Sequence, residues 1–197
     1  MLFRSFGEAT AILAGDALLT MAFEILSSPK HASPLDAGIR LELISRIAKA
    51  SGYQGMIEGQ MRDLQAEGKP ISITELQALH GLKTGAVIEA AIVSGAVVGG
   101  GTENDITSLQ QYARKIGLAF QIRDDILNVE GDPDRMGKSI GTDRLRLKGT
   151  YPSLLGLDQA KVLAAELVDS AITSIRTLDD RSDPLRAIAE YIVKRDR

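Results

Sequence analysis

Helix punctuation recurs along almost the whole chain, and no stretch alternates apolar and polar residues as a half-buried strand would. Ser5 with Glu8, and Ser72 with Glu75, have the spacing of capping boxes, in which a serine and a glutamate satisfy each other's free backbone donors. Ser33-Pro34 reads as an N-cap followed by proline at the first helical position. The pattern predicts helices over 8–26, 34–50, 53–66, 72–98, 106–129, 158–179 and 184–195, with turns at 27–34, 68–70 and 99–105. The expected fold class is all-α, a bundle of long helices.

Composition narrows the function classes. A net charge of −3 gives no electrostatic reason to expect nucleic acid as a partner. The absence of cysteine excludes thiolate metal sites and disulfides, so a metal must be held by oxygen or imidazole, and it accords with the cytoplasm. The apolar run 9–26 contains Asp16 and Glu24, which argues for a buried helix and against a membrane span.

Four groups of residues carry candidate chemistry. Gln121, Asp124 and Asn128 lie about one turn apart on one helix face, with Asp125 beside them. Such oxygen ligands suit magnesium shared with phosphate, and read alone they also suit a solvated acidic helix end. Lys83 and Thr84 lie in mid-helix among small residues, where an ammonium is either a ligand for an anion or a side chain reaching for the surface. Gln60 and Asp63 follow Gly55 and Gly59, glycines that let helices approach closely. The segment 130–152 is glycine-rich and has no apolar periodicity; it carries Lys138, Asp143 and Lys148 and is too long for a simple connector. The chain closes on a basic cluster that includes Lys194 and Arg195.

Taken in order, "FGEATAILAGDALLTMAFEIL", "GMIEGQMRDLQAEGK", "LHGLKTGAVIEAA", "IGLAFQIRDDILNVEGD", "MGKSIGTDRLRLKGTYPSLLGL" and "YIVKRDR" resemble the C-terminal part of trans-isoprenyl diphosphate synthases of the farnesyl or geranylgeranyl type. The resemblance implies an isoprenoid synthase bundle that condenses isopentenyl diphosphate with an allylic diphosphate, farnesyl diphosphate being the expected product. It implies magnesium on Asp124 and Asp125, with Asn128 and Asp63 as outer partners of the metal. It gives Lys83, Thr84, Gln121 and Lys138 to the diphosphate and the allylic cation, and Lys148, Lys194 and Arg195 to substrate binding. It makes 130–152 an active-site loop and the whole protein a homodimer.

Two departures stand out. The family's second aspartate-rich motif ends in a carboxylate where this chain has Asn128, which keeps a hydrogen bond and loses a charge. The family's first aspartate-rich motif has no counterpart here, and residues 1–5 are expected to be foreign to the family. The expectation is a chain that lacks N-terminal helices and is inactive alone. The alternative is a short non-catalytic subunit that partners a complete synthase, with a plain helical interaction domain ranked behind both.

Overall fold

A computed structural model describes residues 2–28, 30, 35–130 and 148–196, the side chains of Leu2 and Arg4 excepted. Most of the described residues are helical, and none of them forms a strand. The chain divides into two compact units, Met1–Ala48 and Lys49–Arg197.

The first unit holds α1 (Leu2–Phe6), α2 (Glu8–Ser27) and most of α3 (Ala37–Ser51). The capping box expected at Ser5 and Glu8 does not form. Ser5 is inside α1, and Gly7, at φ 83°, ends that helix and starts the next. A positive φ costs glycine little, so the break falls there. Ser33 and Pro34 lie outside the described residues; α3 begins behind Asp36, whose Oδ1 accepts the Gly38 N–H at 2.7 Å. Nor is α2 the buried helix the sequence suggested. It has no buried residue, and Leu13, Leu18 and Leu19 are exposed. Its apolar residues are spread around the helix and no described part of its unit encloses them.

Two helical stretches, Glu8–Ser27 and Ile73–Val98, are long and apolar enough to cross a membrane by length and composition, with hydropathies of 1.6 and 1.5. The expectation of no membrane span thus rests on the charges Asp16 and Glu24 in the first.

The second unit contains α4 (Met56–Ala66), α5 (Ile73–His80), a π-helical turn (Gly81–Gly85), α6 (Ala86–Val98), α7 (Glu103–Glu130), α8 (Tyr151–Leu155), α9 (Leu157–Ser174), a short 3-10 turn (Asp180–Ser182) and α10 (Asp183–Lys194). At its centre is α7, flanked by α6, α9 and α10. Leu109, Tyr112, Ile116 and Ala119 recur at helical spacing and pack on Val168, Ala171 and Ile175 of α9 and on Ala189 and Ile192 of α10. One turn further, Ile122 and Ile126 join Leu76, Tyr151, Ala160 and Ala164 in a second cluster. Burying each isoleucine contributes about 2–3 kcal/mol.

The capping box at Ser72 and Glu75 is present in both halves, the Ser72 N–H donating to Glu75 and the Glu75 N–H to Ser72 Oγ. Unforeseen boxes start α7, through Thr102 and Asp105, and α8, through Thr150 and Ser153. The predicted 106–129 helix therefore starts earlier, and the expected loop 130–152 ends in a helix. A turn closed by the Gly55 N–H on Gly52 O delays α4 to Met56.

Candidate active site

Three backbones meet at the π-helical turn because glycine removes the side chains between them. A Cβ on Gly59 of α4 would lie 2.2 Å from Lys83 N, and one on Gly117 of α7 would lie 3.1 Å from Gly85 Cα. The turn is thus clamped between α4 and α7. Such π-turns are rare and frequent at functional sites.

The clamp brings Asp63, one turn beyond Gly59, to Lys83. Asp63 Oδ2 accepts Lys83 Nζ at 2.6 Å and also Lys148 Nζ at 2.8 Å, while Lys148 lies 3.4 Å from Glu67 Oε1. Burial alone would raise the Asp63 carboxyl; hydrogen bonds and charge from Lys148 and Lys83 more than offset that and hold it below its ordinary range. Thr84, beside Lys83 in the turn, is half-buried. Lys138 and Asp143 lie outside the described residues.

On α7 the adjacent aspartates have different surroundings. Asp125 is buried, and its Oδ2 accepts the backbone N–H of Tyr151 at 2.9 Å. That bond anchors the start of α8, three residues after Lys148. The Asp124 side chain is 39% exposed, with Arg195 Nη2 at 3.8 Å from its Oδ1. Gln121 is half-buried and Asn128 buried on the same helix.

Among the described residues, Arg195 is a cation that faces Asp124. Its guanidinium lies 4.1 Å from the centre of the Phe120 ring and donates to Phe120 O. Its own carbonyl accepts two hydrogen bonds from Arg123, at 3.1 and 2.6 Å. Lys194 is not brought to the site: it pairs with Glu190 at 2.9 Å on the exposed face of α10.

His80 and Tyr151 join the lysine half to the carboxylate half, their rings 5.6 Å apart. Burial is the main cause that lowers His80, to about 4, with Asp63 opposing and Lys83 adding to the shift. His80 is neutral at pH 7. Its Nδ1 and the Tyr151 hydroxyl are buried without a hydrogen-bond partner among the described residues. Sequence reasoning missed both; a histidine three residues before Lys83, on its side of the helix, was the available signal. Among the described residues no three carboxylates or imidazoles gather as a ready-made metal cage. A separate cleft of about 850 Å³ opens at the far end of α6, lined by Ile92, Gly95, Leu109, Arg181 and Leu185, and contains none of the candidate residues.

Residues 1–188 match the polyprenyl synthetase family. The chain is 46% identical over 196 residues to farnesyl diphosphate synthase of Escherichia coli (strain K12), covering 98% of this chain and 65% of that protein. It is 41% identical to farnesyl diphosphate synthase of Geobacillus stearothermophilus, covering 97% of this chain and 64% of that one. The chain thus spans just under two thirds of the length of these relatives. Among solved structures, a putative farnesyl-diphosphate synthase from Marinomonas sp. MED121 superposes with a TM-score of 0.81 at 45% identity, over 97% of this chain and 65% of that one. A geranyltransferase from Helicobacter pylori, complexed with magnesium and isoprenyl diphosphate, superposes with a TM-score of 0.82 at 32% identity, over 98% and 62%.

Proposed function

Because the chain belongs to the polyprenyl synthetase family, we propose that it serves a prenyltransferase that condenses isopentenyl diphosphate with an allylic diphosphate. The product is a short-chain isoprenyl diphosphate, farnesyl diphosphate foremost. The observation that carries this reading is the convergence of Lys83 and Lys148 on one oxygen, next to the helix that bears Asp124. Two gathered ammonium groups are complementary to the close-set oxygens of a diphosphate.

The allylic C–O bond breaks first, and its electron pair leaves with the diphosphate. Lys83 and Lys148 stabilise the charge that grows on the departing oxygens; Lys138, outside the described residues, belongs to the same set. Thr84 and Gln121 supply neutral oxygens toward the allylic cation. The double bond of isopentenyl diphosphate then closes the new C–C bond, and a proton leaves the adjacent carbon. Apolar surroundings would limit water, which would otherwise capture the cation.

The donor set fits magnesium. That ion keeps several waters and needs only one or two carboxylates beside substrate phosphate oxygens. Asp124, part-exposed, would hold it, and Asp125 would fix the helix that presents Asp124. When bound, the ion adds positive charge beside the leaving diphosphate. We place the activity in the cytoplasm, with two copies of the protein associating, as the resemblance implies.

The test is condensation itself, followed by mass spectrometry with magnesium, isopentenyl diphosphate and geranyl diphosphate. It is run on the 197-residue chain and on the chain fused behind the N-terminal helices of a related synthase. A fifteen-carbon diphosphate that disappears with Asp124→Ala supports the reading. No product from either protein overturns it.

A further inference from the structure

The two lysines come from distant parts of the chain, and a single carboxylate oxygen holds both. Asp63 Oδ2 accepts Lys83 Nζ across 20 residues of sequence and Lys148 Nζ across 85. Two ammonium groups within the span of two hydrogen bonds repel one another. They stay together because the Asp63 oxygen lies between them, with Glu67 Oε1 at 3.4 Å from Lys148 as a further anion. A phosphate oxygen bridging the same pair would offer the same charge and the same acceptor.

The carboxylate is fixed by more than its lysines. Gly59 packs so closely on the backbone of Lys83 that α4 cannot rotate, and Asp63 follows one turn later on that face. Asp63 is buried, with 9% of its surface exposed, so water competes little for it. The lysine stems, by contrast, are long and can swing.

We propose that Asp63 is a built-in competitor for the substrate diphosphate: a positioning residue that keeps Lys83 and Lys148 together while no diphosphate is bound, then yields their donors to it. The inference rests on the diphosphate reading of this site. It gives Asp63 a different role from the outer metal partner that the resemblance implied. An oxygen that already accepts from two ammonium groups has little left to offer another cation.

The test titrates inorganic pyrophosphate, without metal, into the 197-residue chain and its Asp63→Asn variant by calorimetry. The asparagine keeps the shape and removes the charge, so pyrophosphate should bind about tenfold more tightly. A loosened fold would weaken binding, so a merely structural role cannot produce that gain. Equal or weaker binding by Asp63→Asn, with the wild type binding, overturns the inference. No binding by either protein removes the diphosphate reading and this inference with it, so the two failures look different. Where the variant does not fold, the wild type still decides. The Asp63 carboxylate ¹³C resonance should move as pyrophosphate saturates the chain, and saturation with that resonance unmoved overturns the proposal.

Discussion

Asp125 and Tyr151 are joined across 26 residues of sequence, the aspartate Oδ2 accepting the tyrosine backbone N–H at 2.9 Å. Asp124, its neighbour, turns instead toward solvent and Arg195. Two adjacent carboxylates therefore have different surroundings, one bound into the fold and one part-exposed. Asp125→Ala should cost about 2 kcal/mol of stability, the range for a buried hydrogen bond to a charged group. Asp124→Ala should cost under about 1 kcal/mol, as exposed ion pairs do. Chemical denaturation of both variants checks this; equal losses would refute the division.

Lys83 and Lys148 should matter to turnover more than to folding. In an active protein, Lys83→Met should lower kcat/KM at least a hundredfold, about 2.7 kcal/mol. Stability should change by about 1 kcal/mol, because Asp63 keeps its second lysine. A melt lowered by more than about 10 °C would favour a structural role.

Gly59→Ala tests the clamp. Its Cβ would meet Lys83 backbone atoms at 2.2 and 2.5 Å, so α4 or the π-helical turn must move. The expected loss is about 3 kcal/mol, the upper end for overpacking. Gly117→Ala, at 3.1 Å from Gly85 Cα, should cost less. A thermal melt that ranks them the other way would contradict the clamp.

His80 gives the fold an acid limit. Burial depresses it from 6.5 to about 4, so the folded state resists a proton that the unfolded chain accepts. Its contribution is complete above pH 6.5 and is lost as pH falls toward 4, by roughly 3 kcal/mol. Asp63, also depressed, loses its contribution at lower pH, below the ordinary carboxylate value of 3.8. His80→Gln should flatten the stability profile between pH 6.5 and 4.5, as followed by urea denaturation. An unchanged slope would show that His80 is not the group responsible.

Much of the architecture was legible because helix caps are local. Ser72 and Glu75 act within one turn, and the structure keeps their box. The box at Ser5 failed because Gly7 offered a cheaper break. Lys83 and Asp124 were singled out by position, and Lys148 by its glycine-rich surroundings. Their convergence was not legible, since it depends on Gly59 and Gly117 admitting other backbones across long sequence separations. Arg195 stood apart from its neighbour Lys194 only once Phe120 and Asp124 were placed beside it.

The most direct measurement of the central claim is calorimetric binding of an unreactive allylic thiodiphosphate to the 197-residue chain, with and without magnesium. Binding should strengthen at least tenfold with magnesium. The gain should vanish in Asp124→Ala, and binding should weaken in Lys148→Met even without metal. Binding indifferent to magnesium and to both substitutions would contradict the assignment of these residues to one diphosphate site.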